Sequence, residues 1–162
     1  MSLLSVNVSA RASIQILGDR SSLLTSLLTE IPTDLDLADA NDDHIGDGSP
    51  ATHLWNELRR LDRCGPVTTS KLLARKRPRL IPIRDKVVLQ ELDHPGVGYW
   101  RDLRAAVREN DGELAVHLAK IGERADLDHD VSAIRIFDVL VWMTGKRFRP
   151  HGWSLADEAW SL

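Results

Sequence analysis

Two neighbouring segments of this 162-residue chain carry residue types that suit chemistry on an anionic ligand. Gly65-Pro66 lies between two amphipathic stretches, and this pattern predicts a tight turn that joins two helices. The start of a helix presents backbone N–H groups to anions such as phosphate. Asp85 follows Gly65 by twenty residues and is a suitable N-cap for a helix through Glu91. A carboxylate held there can stabilise a developing positive charge or accept a proton.

The charge distribution points to a polyanionic partner. The net charge is −3, yet the residues of the acidic segment, from Glu30 to Asp47, include seven acids and no Lys or Arg. The stretch from Arg59 to Lys86 contains ten basic and two acidic residues, which gives it a local net charge of +8. This basic cluster consists of Arg59, Arg60, Arg63, Lys71, Arg75, Lys76, Arg77, Arg79, Arg84 and Lys86. Because each neutralised phosphate releases counterions, the cluster favours nucleic-acid binding. The alternative is a solvated basic surface that pairs with the acidic segment of the same chain.

Composition argues against several other classes. The single cysteine, Cys64, excludes an internal disulfide framework and a four-cysteine zinc or iron–sulfur site within one chain, and it suits a reducing compartment. No apolar run reaches the ~18–20 residues that cross a bilayer, and the first residues lack a signal-peptide pattern. The six histidines show no metal-ligand spacing. We therefore predict a cytoplasmic protein without a membrane partner, a catalytic metal or a cofactor.

The pattern predicts a single, compact, all-α domain over residues 1–162. Its predicted parts are an acidic loop at about 30–50, a helical hairpin at about 52–75, the Asp-bearing loop and helix at 76–92, and C-terminal helices at 97–162. The N-terminal apolar pattern predicts a helix over 12–28 that is interrupted at Gly18-Asp19. Residues 78–82 are predicted to be extended because prolines stand at both ends of this stretch.

The C-terminal part is also predicted to be helical. The predicted helices are one over 99–108, one that begins at Asp111 or Gly112, and one that begins at Asp130 or Ser132 and stops at Gly145. The apolar residues of 134–141 also allow a strand, but the length of the pattern and its flanking caps favour a helix. Trp153 and Trp160 are predicted to dock as a short helix.

The turn and the spaced aspartate resemble a known family. The helix-hairpin-helix DNA glycosylases (endonuclease III-like) carry Leu-Pro-Gly-Val-Gly-x-x-Thr-Ala and, about twenty residues later, an Asp between apolar residues and a helix. Gly65 matches the second glycine of this pattern and Thr68 the threonine, whereas Arg63 replaces the first glycine and Asp62 the proline. The resemblance covers roughly 35 of the 162 residues, and about sixty residues precede the hairpin. The chain is thus similar to a short, divergent member of this superfamily.

The resemblance implies a role in base excision from double-stranded DNA. Asp85 would be the catalytic residue, stabilising the sugar cation that forms as the N-glycosidic bond of a flipped-out base breaks. The carbonyls of Leu61 and Cys64 would hold a monovalent cation, without an iron–sulfur cluster. The DNA-binding residues would be Arg63, Gly65, Val67, Thr68, Lys71, Arg84 and Lys86.

The sequence leaves two functions open. Bifunctional relatives place a catalytic lysine where this chain has Val67, which implies a monofunctional DNA glycosylase. Lys71 lies one helical turn further along the same predicted face. The alternative is a catalytically inactive relative that binds DNA or protein through the hairpin.

Overall fold

The computed structural model describes residues 6–128 and 130–147, and the regular structure of this part is α-helical without a strand. The helices are α1 (Ala10–Leu17), α2 (Ser21–Glu30), α3 (Asp42–Ile45), α4 (Pro50–Arg59), α5 (Pro66–Lys76), α6 (Lys86–Glu91), α7 (Tyr99–Arg124) and α8 (Ala133–Arg147). The prediction of an all-α chain is confirmed for the described residues. The alternative strand at 134–141 is excluded because these residues lie within α8.

One hydrophobic core joins the helices. Its buried members include Ala12 of α1, Leu24 of α2, Ile45 of α3, Leu54 of α4, Leu73 of α5, Val88 of α6, Leu103 of α7 and Ile134 of α8. Each helix therefore turns an apolar stripe inward. The short α6 packs against α8, which also contacts α7, while α4 packs between α2 and α5. None of the described helices is long and apolar enough to cross a bilayer.

The two helices predicted over 52–75 are present as α4 and α5, joined by the turn at residues 60–65. Ser49 caps α4, its hydroxyl oxygen accepting a hydrogen bond from the Thr52 N–H at 3.2 Å. Each helix has a proline in its first turn, where the missing N–H would have had no helical partner. Local sequence signals therefore fix both helix starts, and the two helices contact each other.

The acidic segment is only partly a loop. Leu37 and Ala40 are buried, and α3 interrupts the predicted loop where Asn41 caps it. Arginines from elsewhere hold the segment: Arg79 Nη2 lies 2.6 Å from Asp36 Oδ2, and Arg108 donates to the carbonyl of Ala40 at 2.6 Å. Tertiary contacts order a stretch that its polar composition predicted to be irregular.

Two predicted boundaries are wrong, and one is confirmed. Residues 78–80 form a turn instead of an extended stretch, since the N–H groups of Leu80 and Ile81 donate to the Arg77 carbonyl. Gly145 lies inside α8, where a Cβ atom would stand 2.7 Å from Cγ1 of Val87, so this glycine allows α6 to approach. The predicted break near residue 111 is present as a kink at 109–112 within α7. Trp153 and Trp160 lie outside the described residues.

Candidate nucleic-acid interface

The turn between α4 and α5 passes through a left-handed backbone conformation at Arg63, whose φ is +54°. Glycine adopts this conformation without strain, whereas other residues rarely do. Gly65, with φ −68° and ψ 173°, is extended, as any residue can be. The conformational demand of the turn therefore lies at Arg63 and not at Gly65.

The first turn of α5 begins at Gly65 without a side-chain cap. Gly65 has no side chain that could accept a hydrogen bond from the N–H groups of Val67 and Thr68. Both residues are partly buried, while Arg63 is exposed just before them. A helix start without a side-chain cap, next to an exposed cation, favours the binding of an anion.

Asp62 turns its negative charge toward α1. Its carboxylate accepts a 2.9 Å hydrogen bond from Ser9 Oγ, and Ser9 is the N-cap of α1. The positive end of that helix dipole stabilises a carboxylate there. Burial, followed by the charge of Asp62, raises the pKa of the Cys64 thiol, so the thiol stays protonated at neutral pH.

The two carbonyls predicted to hold a monovalent cation already accept hydrogen bonds. The Leu61 carbonyl accepts from the Cys64 N–H at 3.2 Å, and the Cys64 carbonyl accepts from Arg59 Nη1 at 2.8 Å. A cation here would meet the positive charge of Arg59, whose guanidinium already donates to the Cys64 carbonyl. The cation site stays a prediction.

The basic cluster divides into structural and exposed members. Arg77 is buried and donates to the Ile31 carbonyl at 2.6 Å, which satisfies the end of α2. Within residues 6–128 and 130–147, Arg79–Asp36 is the ion pair that joins the cluster to the acidic segment. The exposed members are Arg59, Arg60, Arg63, Arg75 and Lys76. Half of the ten cluster residues are therefore exposed, and one of these, Arg60, pairs with Glu57.

Asp85 caps α6, as predicted. Its Oδ1 accepts a 2.7 Å hydrogen bond from the Val87 N–H, and its Oδ2 lies 3.7 Å from Lys71 Nζ of α5. Only 8% of Asp85 is exposed. Lys86 follows as the first residue of α6 and is partly buried. The aspartate is thus a helix cap paired with a lysine.

Two side chains of α8 hold the Asp-bearing loop, and sequence reasoning missed both. The fully buried Asp138 accepts hydrogen bonds from the Ile83 N–H with both carboxylate oxygens, at 3.1 and 3.2 Å. Arg135 Nη2 lies 2.9 Å from Asp138 Oδ2, and the same guanidinium donates to the carbonyls of Pro78 and Ile81. A signal was available, because charged residues within an apolar helix are buried and need partners.

Burial dominates the electrostatics of this cluster. It raises the pKa of Asp138 to about 7, although the Arg135 charge and the Ile83 N–H act in the opposite direction. It also raises the pKa of Tyr99, whose buried hydroxyl has no hydrogen-bond partner within the described part of the chain.

A cavity of about 280 Å³ lies between α4, Arg84 and the start of α7. Trp55 and Trp100 in its wall meet edge to face, with ring centroids 5.5 Å apart. The Arg84 guanidinium carbon lies 5.6 Å from the Trp55 ring centroid. Arg84, predicted to contact DNA, thus lies in the wall of an aromatic cavity that the sequence pattern did not reveal. Asp85 is not among the residues that line this cavity.

Comparison with known proteins relates the chain to a family. The model of DUF6308, a family of unknown function, matches residues 1–145. No curated protein and no solved structure matches the chain. The matched residues include the α4–α5 turn, Asp85 and the cavity.

Proposed function

The chain belongs to DUF6308, a family of unknown function, and we propose from its own geometry that it binds duplex DNA through the α4–α5 turn. The observation that carries this proposal is the left-handed conformation of Arg63 immediately before a helix start that has no side-chain cap. In the helix-hairpin-helix pattern that the sequence resembles, a glycine stands at the position of Arg63. The backbone of this turn thus has the conformation that such a glycine favours.

The contacts in this proposal are with the phosphate backbone. The N–H groups of Val67 and Thr68 donate to one phosphate, and the exposed Arg63 guanidinium pairs with the same or the next one. The other exposed members of the basic cluster add a positive potential that attracts the duplex. Such contacts position a protein on DNA without reading its sequence.

Arg63→Asn tests the proposal. Asparagine tolerates the left-handed conformation, so the turn is kept while the charge is lost. We expect weaker binding to duplexes of unrelated sequence alike, and a slope of log affinity against log salt that is smaller by about one. Fluorescence anisotropy of two labelled duplexes over a salt series measures both quantities.

Arg124→Gln is the matched control, because Arg124 is an exposed arginine at the end of α7 and lies outside the basic cluster. This control should keep the wild-type slope. A folded wild-type protein without measurable duplex affinity at low salt would overturn the proposal, as would equal losses in the two variants.

A second candidate function is base excision by a monofunctional DNA glycosylase. The observation in its favour is that Asp85 caps α6 beside α5, where the resembled family has its catalytic carboxylate. Against it, Asp85 is largely buried, lies beside Lys71 and does not line the cavity. These contacts argue against a catalytic role for Asp85.

A further inference from the structure

The cavity beside α4 contains a cation without an anionic partner. Within the described residues, the Arg84 guanidinium makes no hydrogen bond or ion pair, and its one specific contact is with the Trp55 ring. The residue is partly buried. Burial and the nearby charge of Arg59 lower the pKa of Arg84, so both act against its charged form. A partly buried charge of this kind is stabilised by a ligand of opposite sign.

The remaining wall fits a flat ring that carries one phosphate group. Trp55 and Trp100 supply aromatic surface, and Arg101 supplies a second cation. Asp47 is the acidic residue of the lining, which leaves the wall with a net charge of +1 when Arg84 is counted. A monophosphate is therefore better matched than a triphosphate. The volume of about 280 Å³ lies near the lower end of ligand pockets, roughly 300–1,000 Å³.

Backbone geometry keeps the cavity open at Arg84. Gly96 has φ +88°, and a Cβ atom there would stand 2.8 Å from Arg84 Nη2. Glycine therefore meets both the conformational and the steric demand at this position. A larger residue would push the guanidinium away from the Trp55 ring.

We propose that this cavity binds one nucleotide, either free or as an unpaired residue of a DNA strand. The base packs against Trp100, as bases stack on aromatic side chains in single-strand binding proteins. The phosphate pairs with Arg84 and Arg101 in charge-assisted hydrogen bonds. This inference does not rest on the duplex-binding role of the α4–α5 turn, because the lining residues lie outside that turn.

Calorimetric titration of the full chain with AMP, adenosine and inorganic phosphate tests the inference. AMP should bind about tenfold or more tightly than either fragment, because only AMP engages both the aromatic wall and the arginines. Arg84→Gln and Trp100→Leu should each weaken AMP binding by about tenfold or more. Arg101→Gln should also weaken AMP binding, and it should not disturb folding because Arg101 is exposed. Arg124→Gln should leave AMP binding unchanged.

A competing single-stranded adenine oligonucleotide distinguishes the two sources. If the oligonucleotide displaces AMP, an unpaired DNA residue is a ligand. If it does not displace AMP, the ligand is the free nucleotide. Either result supports the inference. The inference is overturned if the folded wild type binds none of AMP, GMP, CMP and UMP at low salt. It is equally overturned if phosphate binds as tightly as AMP, or if Arg84→Gln and Arg101→Gln behave like Arg124→Gln. Nucleotide binding without duplex binding would refute only the proposed function.

Discussion

Replacement of Asp138 by Ala is expected to lower the free energy of unfolding by about 3–5 kcal/mol at pH 8. The substitution leaves the Arg135 guanidinium buried without its carboxylate and removes both acceptors of the Ile83 N–H. Chemical denaturation of the two proteins measures the difference. Thr144→Ala, an exposed change on the same helix, should stay within about 0.5 kcal/mol of the wild type. A loss at Asp138 as small as that of the control would contradict the described contacts of Asp138 with Arg135 and the Ile83 N–H.

The same carboxyl gives the stability a pH dependence. The folded-state pKa of Asp138 is about 7, against 3.8 for an unperturbed Asp side chain. Between these values the folded state keeps a proton that the unfolded chain releases, so this group's contribution to stability falls as the pH rises from about 4 to about 7. Asp138→Asn does not titrate and should remove this part of the slope. An identical slope in both proteins would contradict the raised pKa.

The second large effect is expected at Asp85, where one substitution decides whether the region is catalytic. Asp85→Asn keeps an oxygen for the Val87 N–H but loses the charge that would stabilise a sugar cation. Any base release by the wild type should therefore vanish in Asp85→Asn. DNA binding should be retained or strengthened, because a negative charge near the phosphates is lost. A base-release screen over duplexes with different damaged and modified bases measures the first effect.

The reaction product provides a further check on this candidate. Because Val67 stands at the lysine position of bifunctional relatives, an active enzyme should leave an abasic site in an unbroken strand, and borohydride should trap no adduct. Trapping that disappears in Lys71→Ala would instead identify Lys71 as a displaced nucleophile. Base release that survives Asp85→Asn would refute the role of that carboxylate. A protein that binds DNA but releases no base would rule out catalysis.

Local signals allowed much of the fold to be predicted. Gly65-Pro66 marked the start of α5, Asp85 marked the start of α6, and the polar residues near 111 marked the kink of α7. Each signal acts within one helical turn, where capping and proline geometry decide the outcome. The same locality explains why Asp85 could be identified as a cap from sequence, although its degree of burial could not.

Long-range contacts made the other features unpredictable. Asp138 and Ile83 are 55 residues apart, so no local pattern links the buried carboxylate to the Asp-bearing loop. Arg77, counted as part of a basic surface, is buried against the end of α2. Arg84 lies beside Trp55 because α4 and the loop before α6 meet in the fold. Charge and residue type were visible in the sequence, but the partners of each group depend on packing.

The proposed function requires that the α4–α5 turn holds a DNA phosphate on its backbone N–H groups. Titration of the ¹⁵N-labelled protein with a short duplex tests this contact, because amide chemical shifts report each N–H separately. We expect the largest changes at Val67 and Thr68, with a further change at Arg63. Saturable changes that are centred elsewhere, for example on α3, or no change in these three amides at low salt, would contradict it.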